Sequence, residues 1–492
     1  MAVQILKHIF FSTRKPEPNP RLLSRFSTSS PPSDQPHHLI STVVSLLTHH
    51  RSKSRWNHLL SLCPSGLTPT QFSQIALSLK NNAHLALRFF SFTQRKSLCK
   101  HDLNSYATMI HILSRARLIG PARDVIRVAL RLPEDDQDWL DTKARLKLFK
   151  VLVKTYRECG SAPFVFDLLI KCCLEVKKLE PSVDMVRMLI SRGISVQVST
   201  CNALIWEISR CEGVNSGYQI YREVFRLNSE EIEGIGKDVK SVVRIRPNVH
   251  TFNALMVCFY REGLFEKVED MWIEMQRMGC EPNCYSFSVL MAVFCEEGRM
   301  REAEKLWEEM RDRNVEHDLV AYNTIIGGFC KTGEIERAEE FFREMGLSGV
   351  ESSCVTFEHL VDGYCRVADV DSAVLVYKDM CRKNFKPDSS RIEMLIGGLC
   401  DKKRVFEALE ILMTGVEKFG AFPTKKSYTF LIKGFCEEGN MEEALKVQAE
   451  MMGKGFEPSL EIYNAFIDGY VKQGNLEMSM MLRKEMLETQ KW

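Results

Sequence analysis

From about Pro163 to the C-terminus, two kinds of apolar pattern alternate along the chain. The first is a run that is apolar almost throughout, as in YNTIIGGFC (Tyr322 to Cys330). The second is a charged run that opens on acids, carries an apolar stripe and closes on Met, as in EIERAEEFFREM (Glu334 to Met345). Both stripes follow helical spacing, so each pattern pair predicts two short helices. Acids at the start of the second helix suit its dipole. A glycine separates the two runs (Gly263, Gly298, Gly333, Gly439, Gly474), where the first helix must stop and the chain reverse. Another glycine (Gly193, Gly279, Gly349, Gly420, Gly455), often followed by proline (Pro282, Pro387, Pro423, Pro458), closes the pair. No run carries a competing strand signal. The fold predicted is all-α.

The pairs recur in register. Cys295, Cys330, Cys365, Cys400 and Cys436 fall 35, 35, 35 and 36 residues apart, and Ala303, Ala338, Ala373, Ala408 and Ala444 keep the same intervals. Met275, Met310, Met345 and Met380 do so too, resuming at Met451 and Met486. A period of this size marks a solenoid, in which each unit buries its apolar face only against its neighbours. The units read 163–197, 198–248, 249–283, 284–318, 319–353, 354–388, 389–424, 425–459 and 460–492, with 16 extra residues inside 198–248. Before them, residues 31–102 read as a linker and a helical region, and 103–162 as a divergent repeat with connector helices. Within the former, Thr68 looks like a helix cap with Pro69 in the first turn, and Asn81-Asn82 a break between two short helices.

Composition changes this picture in two places. The 17 cysteines fall mostly at a helical repeat position, where a small, soft thiol packs well, so a reducing interior is the simpler setting. The net charge is +2, yet residues 1–33 alone carry +4, leaving the rest close to neutral and faintly acidic. That balance weighs against a polyanion binder by bulk charge. Residues 1–30 are basic, Ser-rich and almost free of acids, the composition of an organelle transit peptide. Arg25-Phe26-Ser27 resembles a mitochondrial processing site, which makes the mitochondrion the expected address and the plastid the alternative.

Catalytic chemistry is not visible. His37-His38, His49-His50, Cys172-Cys173 and the pair Cys280 and Cys284 join no second pair at zinc-finger spacing. There is no Walker loop, nucleophile elbow or deaminase motif, and no cofactor is expected. No apolar run is long enough to span a bilayer. The charged insertion at 226–246 reads as a solvated helix extension and loop, with a protein contact as the alternative.

Segments such as VAYNTIIGGFCKTGEIERAEEFFREM and KSYTFLIKGFCEEGNMEEALKVQAEM closely resemble the pentatricopeptide repeat, over roughly residues 100–492. The uniform unit length is similar to the P subclass of plant organelles. The resemblance implies a right-handed superhelical solenoid that binds single-stranded RNA, one nucleotide per unit, through the fifth and last residues of each unit. Carried over, Asn202 with Asn248 and Asn253 with Asn283 would read pyrimidines, Ser288 with Asp318 guanine, and Asn323 with Ser353 cytosine. Thr429 with Ser459 would suit a purine and Asn464 a pyrimidine, whereas Asp167 with Gln197, Glu358 with Asp388 and Glu393 with Thr424 depart from the pattern. Second residues wedge between bases in the family, a place that Tyr285, Val320 and Val355 fit. Thirteenth residues contact phosphate, which points to Arg261, Lys331, Arg366 and Lys472. The function implied is non-catalytic, sequence-selective binding of organellar RNA, in transcript stabilisation, processing, splicing or translation. The alternative is a protein-binding scaffold, for example on the mitochondrial ribosome; other RNA-processing or ribosomal proteins are possible partners.

Overall fold

The computed structural model describes residues 36–49, 56–132, 146–225 and 245–489. The N-terminal segment 1–30, the PEDDQD connector (133–138) and nearly all of the insertion lie outside the described residues, as do the side chains of His37, His49 and His50. Every regular element among the described residues is an α-helix, and one isolated bridge joins Leu67 to Cys99. The chain divides into two compact units, 1–118 with 151–161, and 119–150 with 162–492.

In the first unit, the helix Pro69–Ser78 starts at a capping box. Thr68 accepts from the Gln71 backbone N–H, and the Gln71 side chain accepts from that of Thr68. The next helix, Ala83–Arg95, is capped by Asn82, and Phe72 stacks on Phe89 at 5.4 Å between the two. His111 is fully buried, its Nε2 within 3.2 Å of the Leu152 carbonyl and 3.0 Å of the Thr155 hydroxyl. Burial pushes its imidazole pKa down to about 4.

The second unit is a row of helical hairpins. Its first helices run Val198–Glu212, Val249–Arg261, Cys284–Glu296, Leu319–Thr332, Cys354–Arg366, Ser389–Asp401, Lys425–Glu437 and Leu460–Lys472. Each opens on the first residue of a repeat, and each packs on the next. The reversal after Leu319–Thr332 is made by Gly333 at φ 84°, whose N–H reaches the Phe329 carbonyl. The equivalent place in 354–388 is held by Ala368 at φ 60°, a conformation that costs a residue with Cβ roughly 1–2 kcal/mol.

The repeated small residues explain the close stacking. Ala303, Ala338, Ala373, Ala408 and Ala444 are all completely buried. The cysteine column lies against a glycine column of the following first helix: a Cβ on Gly363 would come 2.8 Å from Cys330 Sγ. Burial pushes the thiols of Cys295, Cys330, Cys400 and Cys436 up to about 12, so they stay protonated and serve as packing atoms. Tyrosines at the fourth position tie first helix to second, with Tyr428 donating to Glu450 at 3.0 Å and Tyr463 to Glu485 at 3.3 Å. The second helices open on acids such as Glu302, Glu336 and Glu407, and ion pairs bridge successive units, Arg299 to Glu269 at 2.7 Å and Lys378 to Glu407 at 3.5 Å. Exposed pairs of this kind stabilise by only about 0–1 kcal/mol each. Their larger consequence is that the acids there are matched by bases within the fold.

Candidate nucleic-acid interface

The last residue of each unit is the N-cap of the next unit's first helix. Asn248, Asn283, Asp318, Ser353 and Thr424 all accept from the backbone N–H three residues on, satisfying an otherwise orphaned donor. Asp388 and Ser459 occupy the same place without a side-chain capping bond. Capping a helix that packs beside its predecessor sets the last residue of a unit next to that unit's fifth.

Three boundaries share one hydrogen-bond cluster. The Asn202 amide donates to Asn248 Oδ1 at 3.1 Å, that of Asn253 to Asn283 Oδ1 at 3.1 Å, and that of Asn323 to Ser353 Oγ at 3.3 Å. The pairing of Asn202 with Asn248 forms even though the insertion separates the two. In each cluster the amide oxygen of the fifth residue accepts from a hydroxyl at the third position of the next unit. Those donors are Thr251 at 2.7 Å, Ser286 at 2.7 Å and Thr356 at 2.6 Å. An asparagine amide has two N–H donors and two lone pairs. One of each remains unused on Asn202, Asn253 and Asn323, enough to meet a base edge. Asn253 is nearly buried and the other two half-buried.

The other candidate pairs are arranged differently. The Ser288 hydroxyl donates back to the Cys284 carbonyl at 2.9 Å, and Asp318 spends one oxygen on the Ala321 N–H at 2.9 Å. Neither bonds to the other. A short hydroxyl beside an exposed carboxylate leaves both room and an acceptor. Thr429 repeats the back-bond, to the Lys425 carbonyl at 3.0 Å, and Asn464 is exposed.

In two of the units with an acid at the fifth position, a base of the following unit sits beside it. Arg391 donates to Asp388 at 3.1 Å and to Asp362 at 3.0 Å, with the Glu358 charge close enough to act on it. Glu393 accepts from Thr424 at 2.5 Å and pairs with Lys426 at 3.3 Å. Asp167 is buried, accepts from the Gln197 N–H at 2.9 Å, and has its carboxyl pKa raised by that burial. Sequence reading alone missed Arg391 and Lys426 as counterions. The signal was a base in place of the usual hydroxyl or apolar residue near the helix start.

Around the pairs, Tyr285, Val320 and Val355 stand out as large apolar side chains 50%, 53% and 45% exposed, at the second position of three consecutive units. A hollow of about 280 Å³ opens along the same helices, lined in part by Tyr260, Asn323, Gly327, Lys331, His359 and Arg366. The His359 ring lies over Gly327, where a Cβ would come within 3.1 Å of it. Of the thirteenth-position bases, Arg261 stacks 5.4 Å over the Trp206 ring and Lys331 pairs with Glu296, whereas Arg366 and Lys472 have no acidic partner among the described residues. No group of three or more metal-ligating side chains comes together among the described residues, and no described helix is long and apolar enough to cross a membrane.

A pentatricopeptide repeat-containing protein of Arabidopsis thaliana is 62% identical over 467 residues, covering 94% of this chain and 93% of that protein. The chain belongs to the pentatricopeptide repeat family. Sequence profiles of the PPR repeat family match residues 247–296, 317–366 and 352–401 of this pentatricopeptide repeat protein, and PPR repeat profiles match 285–315, 419–452 and 461–489. A second Arabidopsis relative, mitochondrial by name, is 30% identical over 53% of this chain and 43% of its own length. Among solved structures, the crystal structure of the maize pentatricopeptide repeat protein PPR10 covers 91% of this chain and 70% of that one at 18% identity, with a TM-score of 0.46.

Proposed function

We propose that this pentatricopeptide repeat protein is a non-catalytic, sequence-selective binder of single-stranded RNA in an organelle, of the P subclass, masking or remodelling a transcript segment. One observation carries the reading. At three unit boundaries an asparagine amide is held against the last residue of its own unit with donor and acceptor capacity to spare, and exposed apolar residues stand at the second positions of 284–318, 319–353 and 354–388. Each amide is held at both ends, and the N–H and lone pair left over, repeated in one register, suit a ligand with base edges. The apolar residues offer faces on which bases stack, a contribution of roughly 1–3 kcal/mol per base for aromatic side chains. Arg366 and Lys472, with no acidic partner among the described residues, can meet phosphate. The residues Asn202, Asn253, Ser288 and Asn323, with their partners, favour pyrimidine, pyrimidine, guanine and cytosine. Gel-shift titration of the full chain with RNAs varied at those four places tests the reading; equal affinity for every sequence overturns it.

The address we propose is the mitochondrion, on the composition of residues 1–30 and the mitochondrial names of four relatives at 30% identity or less. A fluorescent reporter carrying residues 1–30 should enter mitochondria. Retention in the cytosol, or import into plastids alone, contradicts the proposal.

A further inference from the structure

At three boundaries the residue at the third position of a unit donates to the fifth residue of the unit before it, and the residue types pair in the same sense at the other boundaries. Where the fifth residue carries an amide or carboxylate oxygen (Asp167, Asn202, Asn253, Asn323, Glu358, Glu393), the third residue that follows is a donor, in turn Thr200, Thr251, Ser286, Thr356, Arg391 and Ser427. Where the fifth residue is a hydroxyl that bonds to its own helix (Ser288, Thr429), the third residue is apolar, Ala321 or Ile462. Helix capping alone would not produce that match, because a cap needs only its own helix.

At the three asparagines the contact is directional. The hydroxyls of Thr251, Ser286 and Thr356 accept the backbone N–H of the preceding capping residue at 3.1, 3.2 and 3.0 Å. With a lone pair occupied in that way, the proton points at the asparagine oxygen, which is nearer than the capping residue's own oxygen at 3.2, 2.9 and 3.2 Å. The oxygen end of the amide is thereby fixed towards the hydroxyl, and the nitrogen end keeps the spare N–H.

We propose that the third residue of the following unit is a positioning residue for base selection: it fixes which end of the fifth-residue amide a base meets. This rests on the RNA-binding reading above. Cytosine presents an acceptor at N3 and donors at N4, whereas uracil presents a donor at N3 and an acceptor at O4. An amide free to turn end for end offers either base a partner and separates them poorly. A fixed amide prefers one.

The unit 319–353 provides the test, since Asn323 bonds to both Ser353 and Thr356. Thr356→Val keeps the shape of the side chain and removes its proton. The full chain is titrated with four single-stranded RNAs that carry pyrimidine, pyrimidine and guanine, followed by each base in turn opposite Asn323. The wild type should separate cytosine from uracil by about tenfold or more. In Thr356→Val the ratio should fall to about twofold or less, with the preference for guanine at the preceding place, read on a second set of RNAs varied there, retained, and Thr356→Ser should restore the ratio. A Thr356→Val protein that keeps the wild-type ratio overturns the proposal. So does one that binds all four RNAs equally more weakly, which is the result that losing a helix cap alone would give. A wild type that binds none of the RNAs overturns the RNA-binding reading itself, an outcome distinct from wild-type discrimination that the substitution leaves intact.

Discussion

At the scale of single residues, Asn253 and Ser288 are both almost completely buried, yet they use their polar atoms in opposite ways. Asn253 is bonded at both ends, to the last residue of its own unit and across the boundary to Ser286, and Ser288 only to its own helix. The sequence makes the register of both visible, because a strict period numbers every position. It does not make the third-position partner visible, since Thr251, Ser286 and Thr356 look like ordinary capping residues and their targets lie 33 or 49 residues away. The difference has a consequence for redesign. Ser288→Asn creates an Asn/Asp pair, which should move preference at one base from guanine to a pyrimidine by about 1–3 kcal/mol. Ala321 offers no hydroxyl, so the single substitution should leave cytosine and uracil poorly separated. Adding Ala321→Ser should sharpen the choice between the two pyrimidines, as measured by binding to RNAs varied at that base. A double variant no more selective than Ser288→Asn would count against the account.

His111 gives a residue-scale prediction of a different kind. Its pKa in the fold, about 4, lies below the ordinary 6.5, so the fold holds the ring neutral. The contribution to stability is complete above pH 6.5, declines as the pH falls, and is lost by about pH 4. The full effect is on the order of 3 kcal/mol. Amide exchange within Leu103–Arg115 should accelerate over that window relative to the rest of the chain, and His111→Gln should flatten the dependence.

At the scale of helices, boundaries were legible because glycine, proline, acids and methionine each mark a fixed place in the unit. The exceptions carry no such mark: Ala368 and Lys403 take left-handed conformations at φ 60° and 61° where other units place glycine. Packing between first helices depends on glycines at their tenth position. The three atoms nearest to a Cβ on Gly398 all belong to Val370, at the start of the preceding unit's second helix, the first at 2.9 Å. Gly398→Ala should therefore overpack the contact and destabilise by about 1–3 kcal/mol. Combined with Val370→Ala, the loss should be smaller than the sum of the two single losses, with a coupling of about 0.5–3 kcal/mol. Chemical denaturation of the four proteins measures it, and strictly additive losses would mean that the two side chains do not meet.

At the scale of the whole molecule, the chain's near-neutral balance weighed against RNA from the sequence alone. Much of that charge is already matched within the fold: the acids of the second helices pair with bases of neighbouring units, and Glu358 and Glu393 sit with Arg391 and Lys426. Their neutralisation leaves 354–424 with little to offer a base and sets it apart from 198–353, where the amide clusters lie. The recognised RNA should then be short, with its selective part facing 198–353. Crosslinking the intact protein to RNA in isolated organelles and sequencing what is bound measures this most directly. The account predicts one or a few defined footprints containing pyrimidine, pyrimidine, guanine and cytosine in that order. Recovery of proteins without any defined RNA footprint would contradict it.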